Sequence, residues 1–419
     1  QKDLSFRGYS ASPLLGVAQG ISVYLNGARL NEPLGHEINW DMIPFGAINE
    51  ITFISGATPL YGLNSLGGSL SLETKNGFTS PRSSIKFQKG SWGRHSTTIE
   101  RGDNQGRYGY YVNASYFEEE GWRDLSESNL HTVFASGSYR GELISGDVNY
   151  FYGNSDLIGN ATVPREILGA DRDSIFTAPD ITENISKMLT TSFNVGFSEN
   201  SNLKINSFYR KTKTNSFNGD ASELTVCTLA GETFLIEGLR PKIHQLTDIS
   251  ETDLCGGLNL LGATTPADLE QRLVGVSNDL VFNLESVESD ELLGTGALTD
   301  AAINNISDRG QKSLGITLTV SNESAFRGMQ SIFNGGVSWT KGTSKFNSNT
   351  ELSALDPFTR STRGLGLGTF LADEATNVFT DTRNWGAHIN QVLYMTDSWL
   401  VSMGLKYNFS DLSIFDKST

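Results

Sequence analysis

The sequence predicts a mostly β protein, a transmembrane antiparallel β-barrel preceded by a small mixed α/β domain. Three observations predict it. From Ser83 onward, apolar and polar side chains alternate over segments of about ten residues, long enough to cross a bilayer at a tilt. The connections between those segments alternate short and long, as on the two sides of a membrane barrel. Aromatic residues stand at segment ends (Tyr150, Tyr152, Trp339, Trp385, Trp399), where an interfacial girdle belongs.

Composition narrows the alternatives. None of the 419 residues falls in a run of ~18 apolar residues, so no membrane-spanning helix is expected. A net charge of -15 without a basic cluster leaves nothing to neutralise phosphates, which excludes a nucleic-acid partner. Aromatics at 10% argue against disorder. The 44 glycines, with abundant Ser, Thr and Asn, suit the small polar lining of a wide lumen. Both ends read as cut. Gln1-Lys2-Asp3-Leu4 opens no signal peptide, and the chain stops just after a strand-like stretch.

Residues 1–77 come first and differ from the rest. Ile21, Val23 and Leu25 alternate with polar neighbours, and Asn26-Gly27 then offers a type I′ turn. Ile48, Ile51 and Phe53 mark a second short strand, Leu70 and Leu72 a third. These strands are too short for a barrel wall, so the segment is expected to form its own compact domain.

Residues 78–419 carry the long alternation. Tyr108, Tyr110, Val112 and Ala114 interleave with Gly109, Asn113 and Ser115; Leu314, Ile316, Leu318 and Val320 interleave with Ser313, Gly315, Thr317 and Thr319. Short turns are expected near 103–106, 140–146, 199–202 and 322–327, and long loops over 118–129, 155–186, 215–311 and 342–380. This gives about eleven strands up to Phe409. Closed bacterial barrels have an even number of strands, so eleven reads as half of a larger cylinder.

The opening segment resembles the plug domain of TonB-dependent outer-membrane receptors. The resemblance rests on Arg7-Gly8, on Val23-Tyr24-Leu25-Asn26-Gly27-Ala28-Arg29-Leu30-Asn31-Glu32-Pro33, and on Asn39-Trp40-Asp41-Met42-Ile43-Pro44. It continues through Ala47-Ile48-Asn49-Glu50-Ile51, Ser55-Gly56, Tyr61-Gly62 and Leu66-Gly67-Gly68-Ser69-Leu70. It implies a 22-stranded barrel, about half of it present, with the plug in its lumen. The implied function is active import of a scarce nutrient, foremost an iron-siderophore or other metal chelate, across the outer membrane of a Gram-negative bacterium. The implied partners are TonB (gripping an N-terminal box absent from this chain), outer-membrane lipid and lipopolysaccharide, and a small-molecule ligand. No cofactor and no enzymatic activity are implied. The alternatives are a passive or binding-only barrel of porin or adhesin type, or a receptor for an oligosaccharide or cobalamin.

The resemblance marks Arg7, Gly8, Asn26, Gly27, Arg29, Tyr61, Gly62, Gly67 and Gly68 as plug signature or plug–barrel contact residues. Ser55 stands where the family commonly places an arginine before glycine, which removes the charge from that point of an ionic lock. Arg7 and Arg29 are then the candidates for pairing with inward barrel carboxylates, against a reading as surface cations. His36, Asn39, Trp40 and Asp41 cluster in one plug loop and are candidate substrate contacts. The competing reading has Trp40 packing the plug while Asn39 and Asp41 bond turn backbones. No metal site is expected there. Cys227 and Cys255 fall in the longest loop and, in an oxidising compartment, read as a disulfide. The acidic stretch with Glu285, Glu288, Asp290 and Glu291 reads as a solvated face, or as a surface steering cations.

Overall fold

The computed structural model describes residues 3–59, 61–159, 162–221, 225–229, 232–236, 285–286, 300–326, 329–356, 359–364, 370–396 and 399–418. Two small sheets open the chain. Strands β1 (Leu4–Phe6) and β2 (Tyr9–Ala11) form a hairpin. Strands β3 (Ile21–Leu25), β4 (Ala28–Arg29), β5 (Ile48–Ser55) and β6 (Gly68–Thr74) form a sheet in the order β4-β3-β6-β5, with β3 and β6 parallel. Two one-turn 3-10 segments, Trp40–Met42 and Phe45–Ala47, lead into β5. Every residue of β3 is buried, because the strand is covered on both faces.

The remaining strands build one large antiparallel meander. Its members up to the longest loop are β7 (Ser83–Lys89), β8 (His95–Gln105), β9 (Tyr108–Glu119), β10 (Ser128–Arg140), β11 (Ile144–Ile158), β12 (Asp180–Ser198) and β13 (Ser201–Ala221). Three short strands, β14 (Thr225–Leu229), β15 (Glu232–Ile236) and β16 (Glu285–Ser286), pair apart from it. The meander resumes with β17 (Asp300–Phe326), β18 (Met329–Leu355), β20 (Phe370–Thr396) and β21 (Trp399–Asp416), while β19 (Thr362–Gly364) pairs on β18. The hydrogen-bonded path thus runs through eleven strands among the described residues, as the alternation predicts.

The distribution of polarity is inverted relative to a water-soluble sheet. Polar Asn113, Thr132, Ser136, Asn149, Thr190 and Gln311 are buried. Their apolar sequence neighbours Val112, Val133, Tyr150 and Leu189, like Ile316 on β17, lie exposed on the opposite face. One face therefore encloses a polar interior and the other presents a continuous apolar belt, which suits hydrocarbon rather than water. Trp385 and Trp399 are exposed on that belt, and Trp339 pairs with Trp385 at 6.0 Å between ring centroids.

The plug occupies the inner face. Its core residues Ile21, Leu25, Ile38, Trp40 and Leu72 pack in one cluster with Tyr111, Phe134, Phe151 and Met188 from the wall. Plug and wall thus share an apolar core instead of touching only through polar surfaces.

Several expected loops turn out to be strand. β13 runs on to Ala221, β17 begins at Asp300, β18 continues to Leu355 and β20 begins at Phe370. Of the expected 342–380 loop, residues 342–355 and 370–380 are therefore strand. The reason is visible in Lys341-Gly342-Thr343-Ser344-Lys345: where both strand faces carry only polar or small residues, no apolar side is left to reveal the period. At this end two loops are tied together, Ala178 N donating to Arg360 O at 2.8 Å and Thr362 N to Ala178 O at 2.7 Å.

Candidate functional site at the plug–wall interface

The site begins with a turn. Asn26 and Gly27 both have positive φ, 51° and 78°, as a type I′ hairpin requires. Asn26 ties this turn to β6: its Nδ2 donates to Thr74 Oγ1 at 2.8 Å and its Oδ1 accepts from Thr74 N at 2.9 Å. The turn lies so close to the wall that a Cβ on Gly27 would sit 2.9 Å from Asn206 Nδ2.

Beyond β4 the chain forms a closed loop. Asn31 Oδ1 accepts from Val23 N at 2.9 Å, and its Nδ2 donates to the carbonyls of Ile21 and His36, each at 3.1 Å. Glu32 N donates to Glu37 O at 3.0 Å. Gly35 and His36 make the bend with φ of 75° and 60°. The loop therefore presents two carboxylates, Glu32 and Glu37, toward the wall from fixed positions.

The wall meets them with two arginines on neighbouring strands. Arg210 and Thr212 share the inner face of β13; Arg309 and Gln311 share that of β17, where Thr212 is paired with Gln311. Arg210 Nη2 donates to Glu32 Oε2 at 3.0 Å, and Thr212 Oγ1 to Glu32 Oε1 at 3.1 Å. Arg309 Nη1 lies 2.9 Å from Glu37 Oε1, which also accepts from Gln311 Nε2 at 2.9 Å. All four charged side chains are at most 8% exposed. At such burial the net gain from a pair is small, but removing one partner costs about 3–5 kcal/mol because the other charge is stranded.

The seat is not perfectly satisfied. Glu37 Oε2, Arg210 Nε and Arg309 Nε are buried without a hydrogen-bond partner. An unmade buried hydrogen bond costs about 1–3 kcal/mol. Burial pushes the Glu37 carboxyl above the ordinary range, with Arg309 opposing. Burial, and then the nearby Arg29 charge, lowers His36 to about 4. Arg29 itself is lowered, chiefly by burial. A cavity of about 40 Å³ lies beside the Glu32 pair, lined by Asn39, Met42, Phe151, Met188 and Arg210.

The expected ionic partners are not the observed ones. Arg29 Nη2 faces His36 Nδ1 at 3.3 Å, and the Arg29 carbonyl accepts from Arg210. Arg7 sits in the β1–β2 turn with its guanidinium 5.1 Å from the Phe6 ring centroid. Neither has a carboxylate partner among the ion pairs of the described residues, which corrects their assignment to inward barrel carboxylates. The charges are reversed at this contact: the plug supplies the carboxylates and the wall the guanidiniums, and the Arg210 charge opposes that of Arg29.

The other candidate residues divide by partner. Gly62 N donates to Tyr24 Oη at 2.9 Å, and a Cβ on Gly62 would lie 3.9 Å from Lys406 Nζ of β21. The Tyr61 and Tyr24 rings lie 4.8 Å apart between centroids, tilted by 45°. Gly8 completes the β1–β2 turn, while Gly67 and Gly68 make room for Tyr9 and for the Ile54 backbone inside the plug. Trp40 is buried and donates Nε1 to Ala11 O at 2.9 Å, so it packs the plug. Asp41 does not bond a turn backbone: it accepts from Ser155 Oγ of β11 and, at 3.2 Å, from Asn184 Nδ2 of β12. Of the two cysteines, Cys227 is on β14 and Cys255 lies outside the described residues. Glu288, Asp290 and Glu291 lie outside them as well.

Comparison with known proteins agrees with this geometry. Residues 1–69 match the family described as the TonB-dependent receptor plug domain. The metal-pseudopaline receptor CntO of Pseudomonas aeruginosa is 25% identical over 253 residues, which cover 57% of this chain and 34% of that protein. Among solved structures, the siderophore receptor PiuA from Acinetobacter baumannii superimposes with a TM-score of 0.64 at 12% identity, covering 99% of this chain and 52% of its own. The ferric citrate transporter FecA in its unliganded form gives 0.61 at 12% identity, covering 96% and 50%. At these identities the structural likeness shows the fold. The chain spans about a third of the length of the curated relative and about half of these structures.

Proposed function

We propose that this chain, which carries the plug and part of the barrel wall of a TonB-dependent receptor, serves the energised import of a metal chelate across a Gram-negative outer membrane. An iron-siderophore is the foremost ligand class. The observation that carries the reading is the plug held in the lumen by two buried ion pairs, Glu32 with Arg210 and Glu37 with Arg309. A passive channel has no use for a stopper so held.

The physical argument runs from the lock to the energy source. A ligand shifts the plug only by its differential affinity for the two states. Opening must separate both buried pairs, and uptake against a gradient needs work from outside whatever the net strength of that lock. In this reading TonB supplies it. The full protein would close its wall at 22 strands, with residues 1–77 as plug and 78–419 as the first part of the barrel. The apolar belt faces outer-membrane lipid, and the polar strand extensions stand among lipopolysaccharide. Arg7, Gly8 and the glycines at 67 and 68 shape the plug; His36, Asn39, Trp40 and Asp41 lie in the loop region that would sense ligand. Cys227 and Cys255 are proposed as a disulfide in the longest loop.

The relatives named above are receptors and transporters, not enzymes. CntO is by name a receptor for a metal complex, which favours a chelate over an oligosaccharide or cobalamin. The test is uptake by cells carrying the full-length gene, with and without TonB, using iron, nickel and zinc chelates beside cobalamin and oligosaccharides. Accumulation of a metal chelate only when TonB is present is expected. Equal uptake in both strains would defeat active import and favour a passive barrel.

A further inference from the structure

We propose that Glu100 anchors the plug's downstream end to the wall, so that a pull on the plug opens its upstream part and stops at residue 75. This rests on the import reading above. Residues 75–82 link β6 to β7, and a single wall carboxylate holds both ends of that link. Lys75 Nζ, the first residue after β6, lies 2.7 Å from Glu100 Oε2; Arg82 Nε, the last before β7, lies 3.4 Å from Oε1. Tyr111 Oη donates to Oε2 at 2.6 Å and Ser84 Oγ to Oε1 at 2.9 Å. Glu100 is 7% exposed, and Lys75 also reaches Gly46 O at 2.9 Å, which joins the second 3-10 segment to the same point. Arg82 is mostly exposed and contributes little; the Lys75 contact is the strong one.

The link itself lies directly on the wall backbone. A Cβ on Gly77 would come within 2.4 Å of both Asp103 O and Tyr110 N, and one on Gly102 within 2.2 Å of Ser80 O. Asn104 Nδ2 donates to Gly77 O at 2.9 Å. Against this, the Glu32 and Glu37 seat contains orphaned polar atoms, whereas both oxygens of Glu100 are fully engaged. Force entering upstream meets Glu32 and Glu37 before Lys75. The incompletely satisfied seat yields first and the satisfied one last, as local unfolding follows the weakest contacts.

The test pulls the full-length receptor, reconstituted in lipid without ligand, from its N-terminus in a single-molecule force experiment. Wild type is expected to release the plug and then show a separate final event for residues 75–82 at higher force. E100Q keeps the shape but removes the charge, and charge-assisted hydrogen bonds are roughly twice as strong as neutral ones. The final event should therefore fall in force or merge with the first, with earlier events unchanged. K75M removes the same contact from the plug side and answers the question if E100Q does not fold. An unchanged final event in both E100Q and K75M, or no separate event in wild type, would overturn the anchor. Because this readout needs no transport, TonB-independent uptake would refute the import reading and leave the anchor standing, while failure of the pulling result would leave import standing.

Discussion

Arg210 of the wall and Glu32 of the plug, 178 residues apart in sequence, meet at 3.0 Å with both side chains about 5% exposed or less. Arg210 also donates to the carbonyls of Leu30 and Asn31, so one guanidinium grips both side chain and backbone of the loop. This contact gives the first prediction. R210M alone and E32Q alone should each destabilise plug seating, R210M by about 3–5 kcal/mol. The double variant should cost less than the sum, with a coupling of about 0.5–3 kcal/mol. Hydrogen exchange of plug amides in lipid nanodiscs measures each state.

Acidification is expected to loosen the plug through His36. Its folded pKa of about 4 lies below the ordinary 6.5, so between these values the unfolded chain holds more protons. The stabilising term is complete above pH 6.5 and is lost as pH falls toward 4, on the order of 2–3 kcal/mol. Glu37, raised by burial, contributes the opposite slope as pH rises above the ordinary carboxylate range. H36N isolates the first effect, since asparagine tolerates the positive φ of 60° at this position. Plug protection measured from pH 7 to pH 4.5 should fall less in H36N than in wild type.

Gly27 is expected to resist any side chain. Its φ of 78° disfavours an L residue, and the new Cβ would meet Asn206 at 2.9 Å. G27A should cost about 1–3 kcal/mol of plug seating from the backbone strain alone. Adding N206A should recover only the steric part, which hydrogen exchange of the β3–β4 turn would report.

The outward belt predicts where charge is forbidden. I316R places a guanidinium on the exposed apolar face of β17 and should lower barrel stability in lipid by about 2–4 kcal/mol. Heat-modifiable gel mobility after refolding into vesicles follows the loss.

The fold was largely legible because a lumen and a lipid phase impose opposite polarity on successive residues, as in Tyr110, Val112 and Asn113. The small plug strands were legible for the same reason, with Asn26-Gly27 adding turn chemistry. The lock was not. Glu32 and Glu37 sit in an ordinary polar loop, and nothing local links them to residues 178 and 272 positions further on. The one available hint was parity: Arg210 and Thr212 fall on the polar side of their strand. The Asp41 contact was not legible because its donors, Ser155 and Asn184, come from wall strands more than a hundred residues further on.

Strands β17, β18 and β20 have 27 residues each. At about 3.4 Å per residue and a tilt near 40°, such a strand climbs about 70 Å, against an apolar band of about 25 Å. Most of that height stands clear of the hydrocarbon as a rigid chimney. Its shape is held by hydrogen-bonded backbone and not by loops, so the rim keeps its width without lipid around it.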